Sequence, residues 1–149
     1  MRAVVQRVSR ASITVGGSVV AAIDAGIAAL IGFNGGDGAA DMEYIARKIM
    51  GLRIFGDAEG KMNLSLAEAG GALLLVPQFT LYGDARRGRR PSYSTAMEPG
   101  GASRLFGEFT ALCASLHPAV RCGVFGADMR FELANEGPVT ILLDSSGLF

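Results

Sequence analysis

The chain has 149 residues, a formal net charge of zero, 50% hydrophobic residues and 19% charged residues. These values fit one compact domain over residues 1–149 with a sizeable core, and they exclude intrinsic disorder for the chain as a whole. One histidine and two cysteines supply neither a zinc-finger spacing nor a disulfide framework. We therefore expect no metal ion and no cofactor.

Neither an export signal nor a membrane span is visible in the sequence. Charged residues interrupt the apolar stretch of residues 1–8, unlike the apolar region of a secretory signal, which runs for about 7–15 residues. The apolar run at residues 72–77 is far shorter than the ~20 residues that a membrane span needs. We expect a soluble, cytoplasmic protein with no membrane partner.

The first third of the chain predicts strands and one hairpin. Gly16-Gly17 suits a tight hairpin turn between two alternating segments. A glycine-rich turn at residues 34–38 precedes the first helix and could bind an anion. It lacks the lysine and Ser/Thr of a P-loop, so a plain turn is the better interpretation. The predicted strands here are residues 3–8, 11–15, 18–21 and 27–33.

Two helices follow from the spacing of apolar residues. Apolar residues recur at i, i+3, i+4 and i+7 over residues 42–49, with Asp37 or Asp41 available to cap the start. A second apolar stripe predicts a helix from about residue 102 to residue 116, ending at His117-Pro118. At that helix end we expect an exposed His117.

Further strands are predicted from the apolar run that begins at residue 72 and from residues 120–133 and 139–143. Strands thus outnumber helices, and the two helices are far apart in the sequence. The predicted class is α+β, with a mainly antiparallel sheet or barrel and two principal helices.

Four arginines lie within five residues, so the zero net charge conceals a local positive region. Such a loop can contact the phosphates of a nucleic acid without reading its sequence. The alternative is a solvated loop with no ligand. The four residues are Arg86, Arg87, Arg89 and Arg90.

Pro77 stands at the end of a very apolar segment. Because it has no N–H, it belongs at a strand edge or bulge, which leaves neighbouring amides free. Gln78 and Thr80 could then line a pocket, and an unpaired N–H of Phe79 or Thr80 could stabilise a developing oxyanion. The alternative is a strand whose polar residues face water. Thr80 has no evident base nearby in the sequence, so nucleophilic catalysis by it would need an activator that the sequence does not identify.

Several short segments occur together across nearly the whole chain. Each is weak alone, and Gly137-Pro138 by itself indicates only a turn between strands. In this order and spacing, however, the chain resembles the D-aminoacyl-tRNA deacylase family. The segments are residues 1–8, 52–55, 60–65, 78–82, 88–92, 125–127 and 135–140.

The resemblance implies a homodimer that hydrolyses the ester joining a D-amino acid to the 3′-terminal adenosine of tRNA. It further implies a cis Gly137-Pro138 bond, inserted from one subunit into the active site of the other as a chirality filter, with Arg7 as a brace. Such a filter selects by rejecting an L side chain. The glycine of glycyl-tRNA has no side chain for the filter to reject, so glycyl-tRNA should also be accepted as a substrate.

The resemblance also assigns the catalytic residues. Gln78, Phe79 and Thr80 would form the pocket floor, with the Phe79 amide facing the scissile carbonyl and the terminal ribose 2′-OH of the tRNA helping to activate water. Pro77 stands where the family usually has Ser, which leaves this chain without that hydroxyl. The residues expected to hold the adenosine are Phe125, Gly126, Ala127 and Met129.

Two functions of different classes remain open from the sequence. The preferred one is an aminoacyl-tRNA ester hydrolase, with tRNA and a second copy of the chain as partners and no DNA. The alternative is a non-catalytic RNA-binding module that uses the same arginine-rich loop. Catalytic turnover distinguishes them.

Overall fold

The computed structural model of the chain describes residues 1–148. Six strands form the main sheet, two short strands form a separate hairpin, and two helices connect them. The elements are β1 (Arg2–Val15), β2 (Ser18–Ile23), β3 (Gly26–Gly32), α1 (Ala39–Gly51), β4 (Phe55–Gly56), β5 (Met62–Leu64), β6 (Ala72–Pro77), a 3-10 turn (Phe79–Tyr82), α2 (Pro99–Leu116), β7 (Val120–Cys122) and β8 (Arg130–Asp144).

The main sheet is mixed. Its order is β2-β1-β3-β6-β7, and β8 also pairs with β1. Strand β1 is antiparallel to β2, β3 and β8, whereas β3 with β6 and β6 with β7 run parallel. The expected α+β class with two helices is therefore found. The sheet was expected to be mainly antiparallel, and it is mixed, with three antiparallel and two parallel pairings. Each parallel step needs a crossover connection, and α1 and α2 lie in these two crossovers.

The helices start where polar groups satisfy their first N–H groups. Helix α1 begins after Gly38, whose N–H donates to the Asp41 carboxylate at 3.0 Å. Asp37 instead accepts from the Met1 ammonium and the Asn34 N–H. Helix α2 begins three residues before the predicted start, because Glu98 caps it by accepting from the N–H groups of Gly100 and Gly101.

The apolar faces of both helices pack on one side of the sheet, where Phe109, Ile45 and Leu75 are fully buried. Burial raises the pKa of Cys113 to about 12, so this thiol is an inert part of the core. The prediction of an exposed His117 is wrong. Its ring is buried with Nε2 2.9 Å from the Gly71 carbonyl oxygen, which fastens the end of α2 to the loop before β6. Within residues 1–148, no helix has the length and apolar character needed to cross a membrane.

Candidate active site

The candidate site begins where β6 ends. Pro77 is the last residue of β6, and pairing with β7 stops at Leu75, so the missing N–H of the proline costs no ladder bond on that side. Pro77 was expected at an edge or bulge; it is the last residue of an internal strand and is paired with Ile31 of β3. The next residue, Gln78, donates its N–H to the Ile31 carbonyl oxygen at 2.7 Å.

The chain then turns into the 3-10 turn. Phe79 and Thr80 are its first residues, so their N–H groups have no acceptor within the turn. The Phe79 ring is 58% exposed. The Thr80 hydroxyl accepts a hydrogen bond from the Gln78 side-chain amide, which is a donor and cannot act as a base. The turn thus offers free backbone donors rather than an activated hydroxyl.

Gln78 and Phe79 line a cavity of about 650 Å³. Ligand pockets of this size hold small molecules. All four residues expected to hold the adenosine line the same cavity, so segments about fifty residues apart in the sequence meet here. These residues are Phe125, Gly126, Ala127 and Met129.

Part of this cavity was not predicted from the sequence. The Tyr93 ring meets the Phe79 ring edge-on, with centroids 5.1 Å apart. Glu98, which caps α2, and Met97 also line the cavity. The available signals were an aromatic residue just after the arginine run and a Pro at a helix start, and neither indicates a ligand pocket by itself.

Gly137 and Pro138 lie in an irregular part of β8. Pairing with β1 joins Val8 to Asn135 and then Gln6 to Thr140, so the residues between them protrude from the ladder. Both Gly137 and Pro138 are exposed. In the described part of the chain they are absent from the lining of the 650 Å³ cavity. Gly137 and the pocket of its own chain are therefore separate.

Arg7 holds this protruding segment. Its Nε donates to the Glu136 carbonyl oxygen at 3.1 Å, and its Nη1 donates to the Ile54 carbonyl oxygen. Gly137 has φ +114°, and a Cβ added there would lie 2.5 Å from Arg7 Nη2. A side chain at position 137 would meet both backbone strain and the guanidinium.

The expected cis bond at Gly137-Pro138 is not found. No peptide bond among residues 1–148 is cis, so this bond is trans. The trans isomer of an X–Pro bond is favoured by about 0.5–1 kcal/mol. The segment is exposed in the single chain, so no surrounding packing opposes that preference.

The arginine-rich loop closes on itself. Asp84 and Ser92 exchange two backbone hydrogen bonds of 2.7 and 2.9 Å. The Arg86 guanidinium pairs with the Asp84 carboxylate at 2.6 and 2.9 Å, and this hydrogen-bonded pair holds the pKa of Asp84 below its ordinary value. Arg87 and Arg90 line a second cavity of about 480 Å³ with these groups.

The chain matches a known family over almost its full length. The profile of the family described as D-Tyr-tRNA(Tyr) deacylase matches residues 4–144. A curated relative from Anaeromyxobacter dehalogenans, named D-aminoacyl-tRNA deacylase, is 54% identical over 152 residues, and the alignment covers 100% of both chains.

Two solved structures have the same fold. The first, titled "c-Myc DNA Unwinding Element Binding Protein", is 38% identical with a TM-score of 0.92, covering 97% of this chain and 98% of that one. The second, titled as a probable eukaryotic D-amino acid tRNA deacylase, is 18% identical with a TM-score of 0.80 and coverages of 95% and 97%. Fold, pocket and sequence thus define a hydrolase that acts on aminoacyl-tRNA. The chain belongs to the D-Tyr-tRNA(Tyr) deacylase family.

Proposed function

We propose that this chain hydrolyses the ester between a D-amino acid and the 3′-terminal adenosine of tRNA, releasing free D-amino acid and reusable tRNA. The observation that carries the proposal is the cavity itself. The cavity is lined by Phe79, which is the first residue of the 3-10 turn and whose backbone N–H has no acceptor within that turn. Phe125 and Met129 line the same cavity and supply apolar surface for a purine.

In the proposed reaction, the terminal adenine lies against Phe125 and Met129, and the scissile carbonyl lies near Phe79. Water adds to the carbonyl carbon, and the oxyanion that forms accepts a hydrogen bond from the Phe79 N–H. The tetrahedral intermediate then expels the 3′-oxygen of the ribose, which leaves with a proton. Among the described residues, the Thr80 hydroxyl is hydrogen-bonded only to the Gln78 side-chain amide, so we assign the activation of water to the ribose 2′-OH of the substrate.

Chirality is proposed to be read across a homodimer. The protruding Gly137-Pro138 segment of one subunit enters the pocket of the other, where its backbone carbonyl oxygens accept from the α-ammonium of the substrate. An L side chain would collide with this segment, whereas a D side chain points away from it. Glycine has no side chain to reject, so glycyl-tRNA is also a substrate.

Two features support the dimer. Gly137 and Pro138 are exposed, and Arg7 holds them outside their own pocket. Further along β8, Leu142 is 52% exposed, and a second subunit placed at this strand would bury that apolar surface. A single chain would lack the filter at its own pocket.

The arginine-rich loop is proposed to hold the tRNA backbone. Arg86 is neutralised by Asp84, so its main effect is on the shape of the loop. Arg87, Arg89 and Arg90 then supply the positive charge for phosphates. A tRNA substrate also places the protein in the cytoplasm.

The deciding experiment compares D-tyrosyl-tRNA with L-tyrosyl-tRNA at substoichiometric protein. We expect many turnovers of the D-ester and none of the L-ester above the spontaneous rate. Glycyl-tRNA, in a third reaction, should also be hydrolysed. Binding of both tyrosyl-tRNAs without release of either amino acid would instead establish the non-catalytic RNA-binding module.

A further inference from the structure

We infer that Arg2 and Asp144 are positioning residues for ester hydrolysis: they hold the C-terminal end of the 3-10 turn and so fix the Phe79 N–H at its start. Among the described residues, neither belongs to the lining of the 650 Å³ cavity. Their effect on the reaction therefore passes through the turn. This inference rests on the proposed function.

Arg2 makes three contacts from the start of β1. Its Nη1 donates to the Leu81 carbonyl oxygen at 2.9 Å. Its guanidinium carbon lies 4.5 Å from the centroid of the Tyr82 ring, within the range of a cation–π interaction. Its Nε donates to Asp144 Oδ2 at 3.0 Å. One planar group thus joins the last two residues of the turn to the end of β8.

Asp144 fixes the guanidinium in turn. Its side chain is almost fully buried, and it also accepts from the Ser146 N–H at 2.7 Å. Burial alone would raise the pKa of Asp144, but the hydrogen bonds from Ser146 and Arg2 outweigh it and hold the pKa below its ordinary value. The carboxylate is therefore charged at neutral pH and orients Arg2.

The turn needs this support because the hydrogen bond at its start is long, although the Gly83 N–H closes its end on the Thr80 carbonyl oxygen at 2.9 Å. The Leu81 N–H reaches the Gln78 carbonyl oxygen only at 3.4 Å, and a four-residue 3-10 turn has little stability of its own. The start of the turn packs on Gly32, where an added Cβ would lie 2.9 Å from the Gln78 carbonyl oxygen. Gly32 also lies against the end of the turn, since the same Cβ would lie 3.2 Å from Leu81 Cβ. Arg2 adds the hydrogen bond that fixes the Leu81 carbonyl.

The geometry requires arginine. A guanidinium presents several donors in a fixed plane, so it can bond a carbonyl and a carboxylate while its face lies on a ring. A lysine ammonium at position 2 could pair with Asp144 but could not keep all three contacts. Arg2→Lys should therefore lie between Arg2→Ala and the unmodified chain.

The test measures kcat and KM for D-tyrosyl-tRNA with Arg2→Ala, Arg2→Lys, Asp144→Asn and the control Arg121→Ala. Arg121 is exposed on β7 and bonds only its neighbour's carbonyl among the described residues. Affinity for the 3′-amide analogue of D-tyrosyl-adenosine, which cannot be hydrolysed, is measured alongside. Thermal unfolding establishes that each variant is folded at the assay temperature.

We expect Arg2→Ala to lower kcat by about tenfold or more, because the displaced Phe79 N–H would stabilise the oxyanion less well. A tenfold loss of rate corresponds to about 1.4 kcal/mol in the activation free energy. KM and analogue affinity should change less than about twofold, because the cavity walls are intact. Asp144→Asn should show the same pattern with a smaller loss. Arg2→Lys should regain part of kcat, and Arg121→Ala should match the unmodified chain.

Unchanged kcat in folded Arg2→Ala and Asp144→Asn would overturn the inference, as would equal losses in kcat and analogue affinity. If Arg2→Ala does not fold, Arg2→Lys and Asp144→Asn decide by the same criteria. An unmodified chain that does not hydrolyse D-tyrosyl-tRNA would overturn the proposed function itself, which is a different and separable failure.

Discussion

The 3-10 turn at Phe79 and the protruding segment at Gly137 are both backbone elements, but they are held in opposite ways. The turn is pressed against Gly32, bonded to Arg2 at its far end and placed in a cavity within its own chain. Gly137 and Pro138 are exposed, and Arg7 bonds the carbonyl that precedes them.

This difference separates two tasks. Stabilising an oxyanion requires a donor that is fixed before the substrate arrives, and the turn has the fixed geometry for that. Rejecting a wrong side chain requires an element that reaches into a pocket from outside, and Gly137-Pro138 protrudes as such an element would. In the proposed mechanism, one chain therefore holds the oxyanion donor within its own cavity and presents the filter to a second chain.

The largest effect is expected from the substrate rather than the protein. Replacing the terminal 2′-OH of D-tyrosyl-tRNA with hydrogen should slow hydrolysis by about 100- to 10,000-fold, the range for a positioned proton-transfer group. Single-turnover rates on matched 2′-hydroxyl and 2′-deoxy tRNAs measure this. If a 2′-deoxy tRNA reacts at the normal rate, a group of the protein must supply the nucleophile or the base, and Thr80 is the first candidate.

The next largest effect is expected from removing the Phe79 N–H. Phe79→Pro removes the donor, and proline is tolerated at the first position of a helical turn. Gln78 has φ −147° and ψ 86°, outside the α region that a following proline disfavours. We expect kcat to fall by about 100- to 1000-fold, as for loss of one oxyanion donor.

Phe79→Ala is the matched control, because it removes the ring but keeps the N–H. It should affect KM more than kcat, since the ring lines the cavity. Equal kcat losses in Phe79→Pro and Phe79→Ala would show that the ring, not the amide, is responsible.

A smaller effect is expected at the filter. Gly137→Ala puts a side chain at φ +114° and against Arg7, a strain of about 1–3 kcal/mol. Activity on D-tyrosyl-tRNA should fall by about 10- to 100-fold if that strain displaces the filter, while the circular dichroism spectrum stays the same.

Gly60→Ala provides the control for backbone strain. Gly60 also has positive φ, at +76°, but an added Cβ there meets open space, and it lies in the β4–β5 turn. Its activity should equal that of the unmodified chain. An unchanged D/L ratio and rate in Gly137→Ala would exclude this segment as the filter.

The smallest effect is expected at Thr80. Thr80→Ala loses one exposed hydrogen bond from Gln78, which water can replace, so kcat should fall by less than about tenfold. Thr80→Ser keeps the hydroxyl and should be nearly normal. A large loss in the alanine variant, restored by serine, would make the hydroxyl catalytic after all.

Local patterns in the sequence predicted much of the fold. Apolar spacing located both helices, and Gly16-Gly17 located the hairpin between β1 and β2. The parallel pairing of β3 with β6 was missed because strand direction depends on which strands meet, and a single sequence does not contain that information. The buried His117 was missed for the same reason: its partner, the Gly71 carbonyl, is 46 residues away.

The candidate site was predicted only in part. The resemblance predicted that Phe79 and Phe125 belong to one site, and both line the 650 Å³ cavity. Glu98 and Tyr93 were missed because a helix cap and a lone aromatic residue carry no ligand signal. The contacts of Arg2 were missed, since its partners Leu81 and Asp144 lie 79 and 142 residues further along the chain.

The most direct measurement mixes Phe79→Pro chains with Gly137→Ala chains. The Phe79→Pro chain lacks the Phe79 N–H but keeps the Gly137-Pro138 segment intact. The Gly137→Ala chain keeps the Phe79 N–H but has an altered Gly137-Pro138 segment. If each pocket takes its filter from the other subunit, half of the random dimers are mixed and each of these has one intact site. The account then predicts that the mixture regains about a quarter of the normal D-tyrosyl-tRNA activity after subunit exchange. Activity that stays at the mean of the two separate variants would contradict it.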